Sequence, residues 1–381
     1  MLSQISKIPS FNKNSFLPAI LFAIAILVFY FDPTIKDKYL KMLHIAFYTL
    51  SISSILFLFY FNRSKALFSV LTLFLSYLGL NYLRARYGNG YTDSNAFHVL
   101  FILTPLNLLL FYIVPDYPFS NRQNLYFLVL LFLEISLFEK ILHLEAPINF
   151  IIPLSSIGLL LFLGISVILL IHTSKNDSII NVGLFFAFLN ILFAFGNNAS
   201  ILALTFFFPA AALTIFIALL REIYYTTFHD TLTGLFSRRS FLSDEKHFPL
   251  KYSLGIIAID DYTNLRKVFG ISAIDNLTKM ITLVILENGN NMPIYRYTPD
   301  EFLIVFKGED KNVAFKHTDQ IRRSIASSEF LIKRNKPIKI TVSGSVTEKK
   351  RVDSSAIETL SRARKALQKT YKFTQNVIAK A

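Results

Sequence analysis

Eight apolar segments in the first 220 residues constrain the fold of this chain more than any other feature. A membrane-spanning helix needs about 20 predominantly apolar residues, and segments of this kind follow one another here with short polar loops between them. They lie at residues 16–31, 42–61, 66–83, 97–115, 124–142, 151–171, 178–196 and 200–220. The sequence therefore predicts an N-terminal tail, residues 1–15, and then an all-α polytopic membrane domain of about eight transmembrane helices over residues 16–220.

Composition separates the chain into two parts. The hydrophobic content of 53% comes mainly from the first part, whereas residues 221–381 have an ordinary globular composition with 27 basic and 17 acidic residues. A basic domain tethered beside a bilayer is attracted to anionic headgroups, so the lipid bilayer is the predicted partner and no nucleic acid is expected. Since the chain has no cysteine, disulfides and cysteine-ligated metal sites are excluded.

One carboxylate falls in the middle of an apolar segment. Glu134 lies within residues 124–142, and an ionisable side chain inside a bilayer is costly and usually faces protein or water. Glu134 is therefore a candidate residue for sensing within the membrane. The alternative is that the segment is shifted, so that Glu134 lies near the headgroups together with Glu139 and Lys140.

The last apolar segment continues without a glycine- or serine-rich linker into residues 221–228, which predicts a connecting signalling helix. Residues 229–381 then alternate between strand and helix patterns. The predicted order is a strand at 252–260, a helix at 262–286, a strand–turn–strand at 294–306, a helix at 312–328, a strand at 338–346 and a helix at 355–372. This order predicts an α/β domain.

Three stretches of this domain carry a family resemblance. Residues 229–241 read HDTLTGLFSRRSF, residues 298–302 read TPDEF, and residues 363–378 read ARKALQKTYKFTQNVI. In this order they resemble the opening, the signature and the closing stretch of GGDEF (diguanylate cyclase) domains. The resemblance implies a palm-like α+β sandwich with a mostly antiparallel sheet. It also implies a cytoplasmic C-terminal domain at a bacterial inner membrane.

Active members of this family hold GTP with Mg²⁺ on carboxylates, and two such half-sites in a dimer make cyclic di-GMP. Compared with that pattern, the first metal-binding Asp falls on Ala258, while Asp260 is kept. The guanine-binding Asn falls on Arg266 and its neighbouring Asp on Lys267, while Asp275 retains its carboxylate. The resemblance therefore implies a pocket that has lost part of its metal and base contacts.

The signature itself is also altered. Two glycines of the family become Thr298 and Pro299, while Asp300, Glu301 and Phe302 remain. Two glycines permit torsions with positive φ, whereas proline fixes φ near −65° and has no N–H. We therefore expect no intact catalytic constellation, and metal binding, if any, at Asp300 and Glu301.

The remaining family positions extend this comparison. The phosphate-binding Lys and Arg of the closing stretch fall on Tyr371 and Gln375, and the product-inhibition motif is absent, with Gly289 and Met292 at its two positions. The nucleotide-binding candidates are Asp260, Arg266, Lys267, Asp275 and Arg296. A purely structural interpretation is also open, in which Phe302 packs in the sheet, Arg296 pairs locally and the two acids cap a turn.

Three functional hypotheses follow. The first is a membrane-anchored signalling protein whose catalytically degenerate domain acts by binding a guanine nucleotide, or by pairing as a homodimer or with another GGDEF domain. The second is a residual diguanylate cyclase that uses Mg²⁺ and GTP. The third is a membrane transport or lipid-linked function that the C-terminal domain regulates.

Overall fold

The computed structural model describes residues 11–31, 39–143, 154–175, 178–197, 200–289, 292–333, 336–371 and 374–381. Residues 1–10 of the predicted N-terminal tail lie outside these ranges. The chain divides into two compact units, Met1–Ile223 and Tyr224–Ala381.

The first unit is helical. Each of the eight apolar segments has most of its length in one helix, since long runs of Leu, Phe and Ile satisfy their backbone hydrogen bonds within the helix. The helices are α1 (Phe11–Phe31), α2 (Leu40–Tyr60), α3 (Ser64–Tyr87), α4 (Asn95–Ile113), α5 (Arg122–Leu142), α6 (Leu154–Lys175), α7 (Ile179–Gly196) and α8 (Ile201–Phe228). A 3₁₀ turn, Gly88–Asp93, connects α3 to α4, and the Ser94 side chain caps α4 by accepting a hydrogen bond from the Phe97 N–H at 3.2 Å.

Eight transmembrane helices were predicted, and among the residues that the structure describes six helices are long and apolar enough to cross a membrane: α2, α3, α4, α6, α7 and α8. The apolar part of α1, Phe16–Tyr30, is shorter than the others. Helix α5 has sufficient length but contains Arg122, Glu134, Glu139 and Lys140. The six spans identify a multi-pass membrane protein.

Helix α5 nevertheless has an apolar outer surface. Large side chains such as Phe132 and Leu133 are 68% and 59% exposed, and its inner side packs against α3 and α4. A contiguous exposed apolar surface on a helix is suited to contact with lipid.

The second unit is a mixed α/β domain. Its strands are β1 (Phe236–Ser237), β2 (Tyr252–Ile259), β3 (Ile294–Arg296), β4 (Glu301–Lys307), β5 (Phe330–Lys333), β6 (Lys336–Ile338), β7 (Val342–Glu348) and β8 (Ile378–Lys380). Its helices are α9 (Arg238–Asp244), α10 (Tyr262–Phe269), α11 (Ile271–Asn288), α12 (Lys311–Ser327) and α13 (Ala356–Tyr371). A 3₁₀ turn, Glu245–His247, follows α9.

A six-stranded sheet in the order β1-β3-β4-β2-β7-β8 forms the centre of this unit, and β5 and β6 form a separate hairpin. The three inner pairings are antiparallel, and the two edge pairings are parallel. This architecture confirms the predicted fold class, a helical membrane bundle followed by an α/β domain with a mostly antiparallel sheet.

Both faces of the sheet are buried, which is why β2 reads as an almost continuous apolar run. On one face Ile257, Phe302 and Ile304 pack against α11 and α12. On the other, Leu254 and Leu303 pack among residues of α9 and α13. This packing on both faces fixes the positions of the end of β2 and the start of β4, which lie side by side in the sheet.

The predicted helix at 262–286 is instead two helices, α10 and α11. Gly270 separates them with a φ of 83°, a conformation that glycine adopts readily and that ends an α-helix.

Candidate functional site

The signature residues form the turn between β3 and β4. Arg296 pairs with Phe302 across the hairpin, and the Tyr297 N–H donates to the Glu301 carbonyl at 2.9 Å. The Thr298 hydroxyl donates to the Asp300 carboxylate at 2.7 Å and accepts from the Glu301 N–H at 3.1 Å. The threonine side chain thus closes the turn and engages the Asp300 carboxylate within it.

Glu301, the other signature acid, is paired with an arginine side chain. Its carboxylate forms an ion pair with the Arg364 guanidinium on α13. The same guanidinium lies 4.7 Å from the centroid of the Tyr297 ring, and Arg238 lies 4.8 Å from the same centroid. Stacking on an aromatic ring fixes the orientation of a guanidinium, so Glu301 faces a well-positioned positive charge.

Ala258 lies on β2 directly opposite Glu301. Its methyl group offers no ligand atom at the position where the family resemblance implies a metal-binding carboxylate. Two strand positions that face each other have Cβ atoms about 5 Å apart. The loss therefore falls next to the one acid that Arg364 already engages.

Asp260 follows β2 and is buried, with 4% of its surface exposed. Its Oδ2 accepts hydrogen bonds from the Thr341 hydroxyl at 2.6 Å and from the Asn376 N–H at 3.1 Å. These contacts join the end of β2 to the segments before β7 and β8. The structure thus gives Asp260 a role in holding three chain segments together.

Asp261 has a left-handed backbone conformation, with a φ of 50°. Its N–H donates to the Tyr371 hydroxyl at 2.9 Å, and its carboxylate accepts from the Gln375 side chain at 3.1 Å. Burial, together with the nearby acidic residues Asp260, Asp261 and Asp300, raises the pKa of Tyr371. The two residues that occupy the family's phosphate-binding positions therefore contact Asp261.

Arg296, a predicted binding residue, is committed to local contacts. Its guanidinium donates to the Asp230 carboxylate at 2.8 Å and to the Pro299 carbonyl at 2.9 Å, and 9% of its side chain is exposed. Burial opposes ionisation of Asp230, but hydrogen bonds from Arg296 and Thr233 outweigh it and lower the pKa of that carboxyl. The pair joins the opening motif to the signature turn.

Two clefts lie on either side of Tyr262. The first, the Ala258 cleft, has a volume of about 540 Å³. Its lining includes Ala258, Asp261, Tyr262, Asn264, Asp300 and Tyr371. The second, the Arg266 cleft, has a volume of about 460 Å³ and a lining that includes Asp230, Tyr262, Arg266, Asp275, Arg296 and Pro299.

The structure therefore brings together three of the five predicted nucleotide-binding residues. Arg266 on α10, Asp275 on α11 and Arg296 on β3 all line the Arg266 cleft. Lys267 is exposed and Asp260 is buried, and neither lines a cleft described above.

Sequence reasoning missed Arg364, although a signal for it was present. The closing stretch of the family has Asp directly after its first Ala, and this chain has Arg364 at that position. Its partner, 63 residues away in sequence, becomes visible only in the folded domain.

The residues present do not fit the magnesium site that the resemblance implies. Mg²⁺ prefers near-octahedral oxygen ligands with one or two carboxylates. Here Ala258 supplies none, Asp300 is bonded within its turn, and Glu301 faces Arg364. Within the described part of the chain, no group of three or more His, Asp or Glu side chains could hold a metal ion.

Comparison with known sequences identifies the second unit. Residues 227–376 match the sequence model of the family described as diguanylate cyclase, GGDEF domain. This segment is a GGDEF domain. The chain is thus a membrane-anchored GGDEF-domain protein, and no curated protein matches it.

Solved GGDEF domains resemble this part of the chain at low identity. The GGDEF domain of FimX from Pseudomonas aeruginosa is 20% identical over 40% of this chain and 98% of that chain, with a TM-score of 0.37. The GGDEF domain of DgcB from Caulobacter crescentus, in complex with c-di-GMP, is 23% identical over 40% of this chain and 92% of that chain, with a TM-score of 0.36. The active GGEEF domain of a diguanylate cyclase from Vibrio cholerae is 20% identical over 37% and 88%, with a TM-score of 0.33.

Proposed function

We propose that this chain is a signalling protein of the bacterial inner membrane whose cytoplasmic GGDEF domain binds a guanine nucleotide without converting it to cyclic di-GMP. The observation that carries the proposal is the ion pair between Glu301 and Arg364 beside Ala258. The Arg364 guanidinium lies beside the position where a metal ion would need carboxylate ligands.

The charges at this point disfavour a metal-assisted reaction. Two unit charges 4 Å apart interact by about 4 kcal/mol at an effective dielectric constant of 20. A divalent cation that engaged Glu301 would either displace Arg364 from its partner or lie beside it. Phosphoryl transfer relies on metal ions and positioned cations for charge neutralisation, so a missing carboxylate at Ala258 and the pairing of Glu301 with Arg364 together remove a main source of catalysis.

The Arg266 cleft supports nucleotide binding. Asp275 is half-buried in its wall, and a carboxylate can accept two N–H groups from the edge of a guanine base. Arg266 lines the same cleft, and its guanidinium suits a phosphate oxygen pair. Because Arg296 is neutralised by Asp230, Arg266 supplies the positive charge that such a ligand needs.

The test is isothermal titration of the full-length protein, in lipid nanodiscs, with GTP. Asp275→Asn removes the charged acceptor, and we expect roughly a tenfold or greater loss of GTP affinity. Glu287→Gln is the matched control, because Glu287 is an exposed acid on the same helix, α11, outside both clefts. Equal affinities of the Asp275→Asn variant and the wild type would contradict the proposed site.

The other hypotheses make different predictions. Pairing with itself or with another GGDEF domain is compatible with nucleotide binding and stays a prediction. A residual cyclase would require magnesium-dependent turnover of GTP. A transport or lipid-linked function would be carried out by the helical unit, and a change in the C-terminal domain would alter its rate.

A further inference from the structure

The helical unit contains a cavity that the GGDEF domain does not explain. It has a volume of about 260 Å³ and lies between α3, α4 and α5. We call it the Glu134 pocket. Its walls are mainly apolar and include Leu75, Leu103, Leu131, Ile135 and Phe138, and its polar lining includes Thr72, Ser76, Thr104 and Glu134.

The Thr72, Ser76 and Thr104 hydroxyl groups in this pocket have already used their hydrogens. Each hydroxyl has a single donor. Thr104 donates to the Leu100 carbonyl at 2.7 Å, so in its 2.8 Å contact with Ser76 it accepts and Ser76 donates. Thr72 donates to the Phe68 carbonyl at 2.9 Å. The three side chains therefore present only oxygen lone pairs to a ligand.

Glu134 adds a further acceptor. Its Oε2 accepts a hydrogen bond from the Asn107 side chain at 2.6 Å, and its Oε1 has no hydrogen-bond partner among the described residues. No Lys or Arg of the described residues forms an ion pair with it. A carboxylate in apolar surroundings is stabilised mainly by a countercharge, so this pocket has acceptors and one negative charge to offer.

The remaining polar lining residue, Tyr82, is 50% exposed. With Leu78 at 40% and Ile135 at 47% exposure, it forms the outer side of the pocket. The pocket therefore opens on the outer surface of the helical unit, where an apolar molecule dissolved in the bilayer has access to it.

We propose that the Glu134 pocket binds a small apolar amine in its protonated form. The ammonium group donates to Glu134 and to the free lone pairs of Ser76 and Thr104, and the apolar body lies against Leu103, Leu131 and Phe138. A cation supplies both the countercharge and the donors that Glu134, Ser76 and Thr104 lack. An alcohol would supply a donor but no charge, and an anionic headgroup would be repelled.

The test is equilibrium binding of radiolabelled octylamine to the full-length protein in nanodiscs of zwitterionic lipid, with binding to empty nanodiscs subtracted. Wild type should bind saturably, and Glu134→Gln should lower the affinity about tenfold or more, since it removes one partner of a charge pair. Glu139→Gln should match wild type, because Glu139 is an exposed acid on the same helix outside the pocket.

A second pair of variants tests the pocket by its shape. Ile135→Trp should fill the pocket and abolish octylamine binding. Leu137→Trp should leave it unchanged, because Leu137 has nearly the same exposure, 48% against 47%, but does not line the pocket.

Three results would overturn the proposal. They are absence of saturable octylamine binding to wild type, equal affinity in the Glu134→Gln variant, and octanol binding as tight as that of octylamine. The last result would indicate a groove for lipid chains instead of an amine site.

Discussion

Restoring a metal ligand at Ala258 should have little effect while Arg364 is present. Ala258 is 8% exposed but lines the Ala258 cleft, so an Asp at this position has space for its carboxylate. In the Ala258→Asp variant, however, a divalent cation would still lie beside a guanidinium that engages Glu301. We therefore expect the combined variant Ala258→Asp, Arg364→Gln to bind Mn²⁺, a spectroscopic substitute for Mg²⁺, more tightly than Ala258→Asp alone.

The magnitude follows from the geometry. Unit charges at 4 Å interact by about 4 kcal/mol at an effective dielectric constant of 20. The Arg364 side chain is 33% exposed and partly screened by solvent. We therefore take about half of this energy, ~2 kcal/mol, which corresponds to roughly a thirtyfold change in affinity.

The assay is a titration of free Mn²⁺, followed by electron paramagnetic resonance, with the full-length protein in nanodiscs and saturating GTP. The control is Ala258→Asp, Lys365→Gln, which removes a positive charge from an exposed neighbour on the same helix. Improvement of Mn²⁺ binding by Lys365→Gln as large as that by Arg364→Gln would contradict the role assigned to Arg364. So would wild-type binding of Mn²⁺ as tight as that of the combined variant.

Two further predictions concern the ion pair that joins the opening motif to the signature turn. Arg296→Ala should lower the free energy of unfolding of the GGDEF domain by about 2–3 kcal/mol, since it leaves the Asp230 carboxylate and the Pro299 carbonyl without their donor. Chemical denaturation measures this change. The control is Arg323→Ala, which removes a 74% exposed ion-pair residue and should cost less than about 1 kcal/mol. A comparable loss in both variants would contradict the assignment. The lowered pKa of Asp230 predicts a contribution to stability that is complete above the unfolded-state value of about 3.9 and is lost as the pH falls through the folded-state pKa. Asp230→Asn should reduce this acid dependence of unfolding, and an unchanged pH profile would show that other carboxyls cause it.

The helices of the first unit were predictable because the signal is local. A run of apolar residues long enough to span a bilayer has few alternatives to a helix, and each predicted segment has most of its length in one helix. The number of spans was less predictable, because Arg122, Glu134, Glu139 and Lys140 give α5 an intermediate character. The positions of those charges depend on how α5 packs against α3 and α4, and this packing cannot be predicted from the sequence.

The order of the longer strands and helices in the GGDEF domain was likewise readable from the sequence, whereas α9, the short strands β1, β5 and β8 and the break between α10 and α11 were not predicted. The absence of a carboxylate at Ala258 was visible by position. The pairing of Glu301 with Arg364 was not, because it depends on how α13 packs beside the β3–β4 turn. Lys267 directly follows Arg266 on α10 but lines neither cleft, because adjacent positions of a helix point in different directions. Which of the candidates share a cleft was therefore visible only in the folded domain.

The measurement that tests the central claim most directly is titration of the full-length protein with GTP, in Mg²⁺ and in EDTA, followed by product analysis of the Mg²⁺ sample. The account predicts GTP binding with affinities within about twofold of each other and unchanged GTP at the end. Formation of cyclic di-GMP in Mg²⁺ would contradict it, and so would binding of GTP that requires Mg²⁺ or is absent in both conditions.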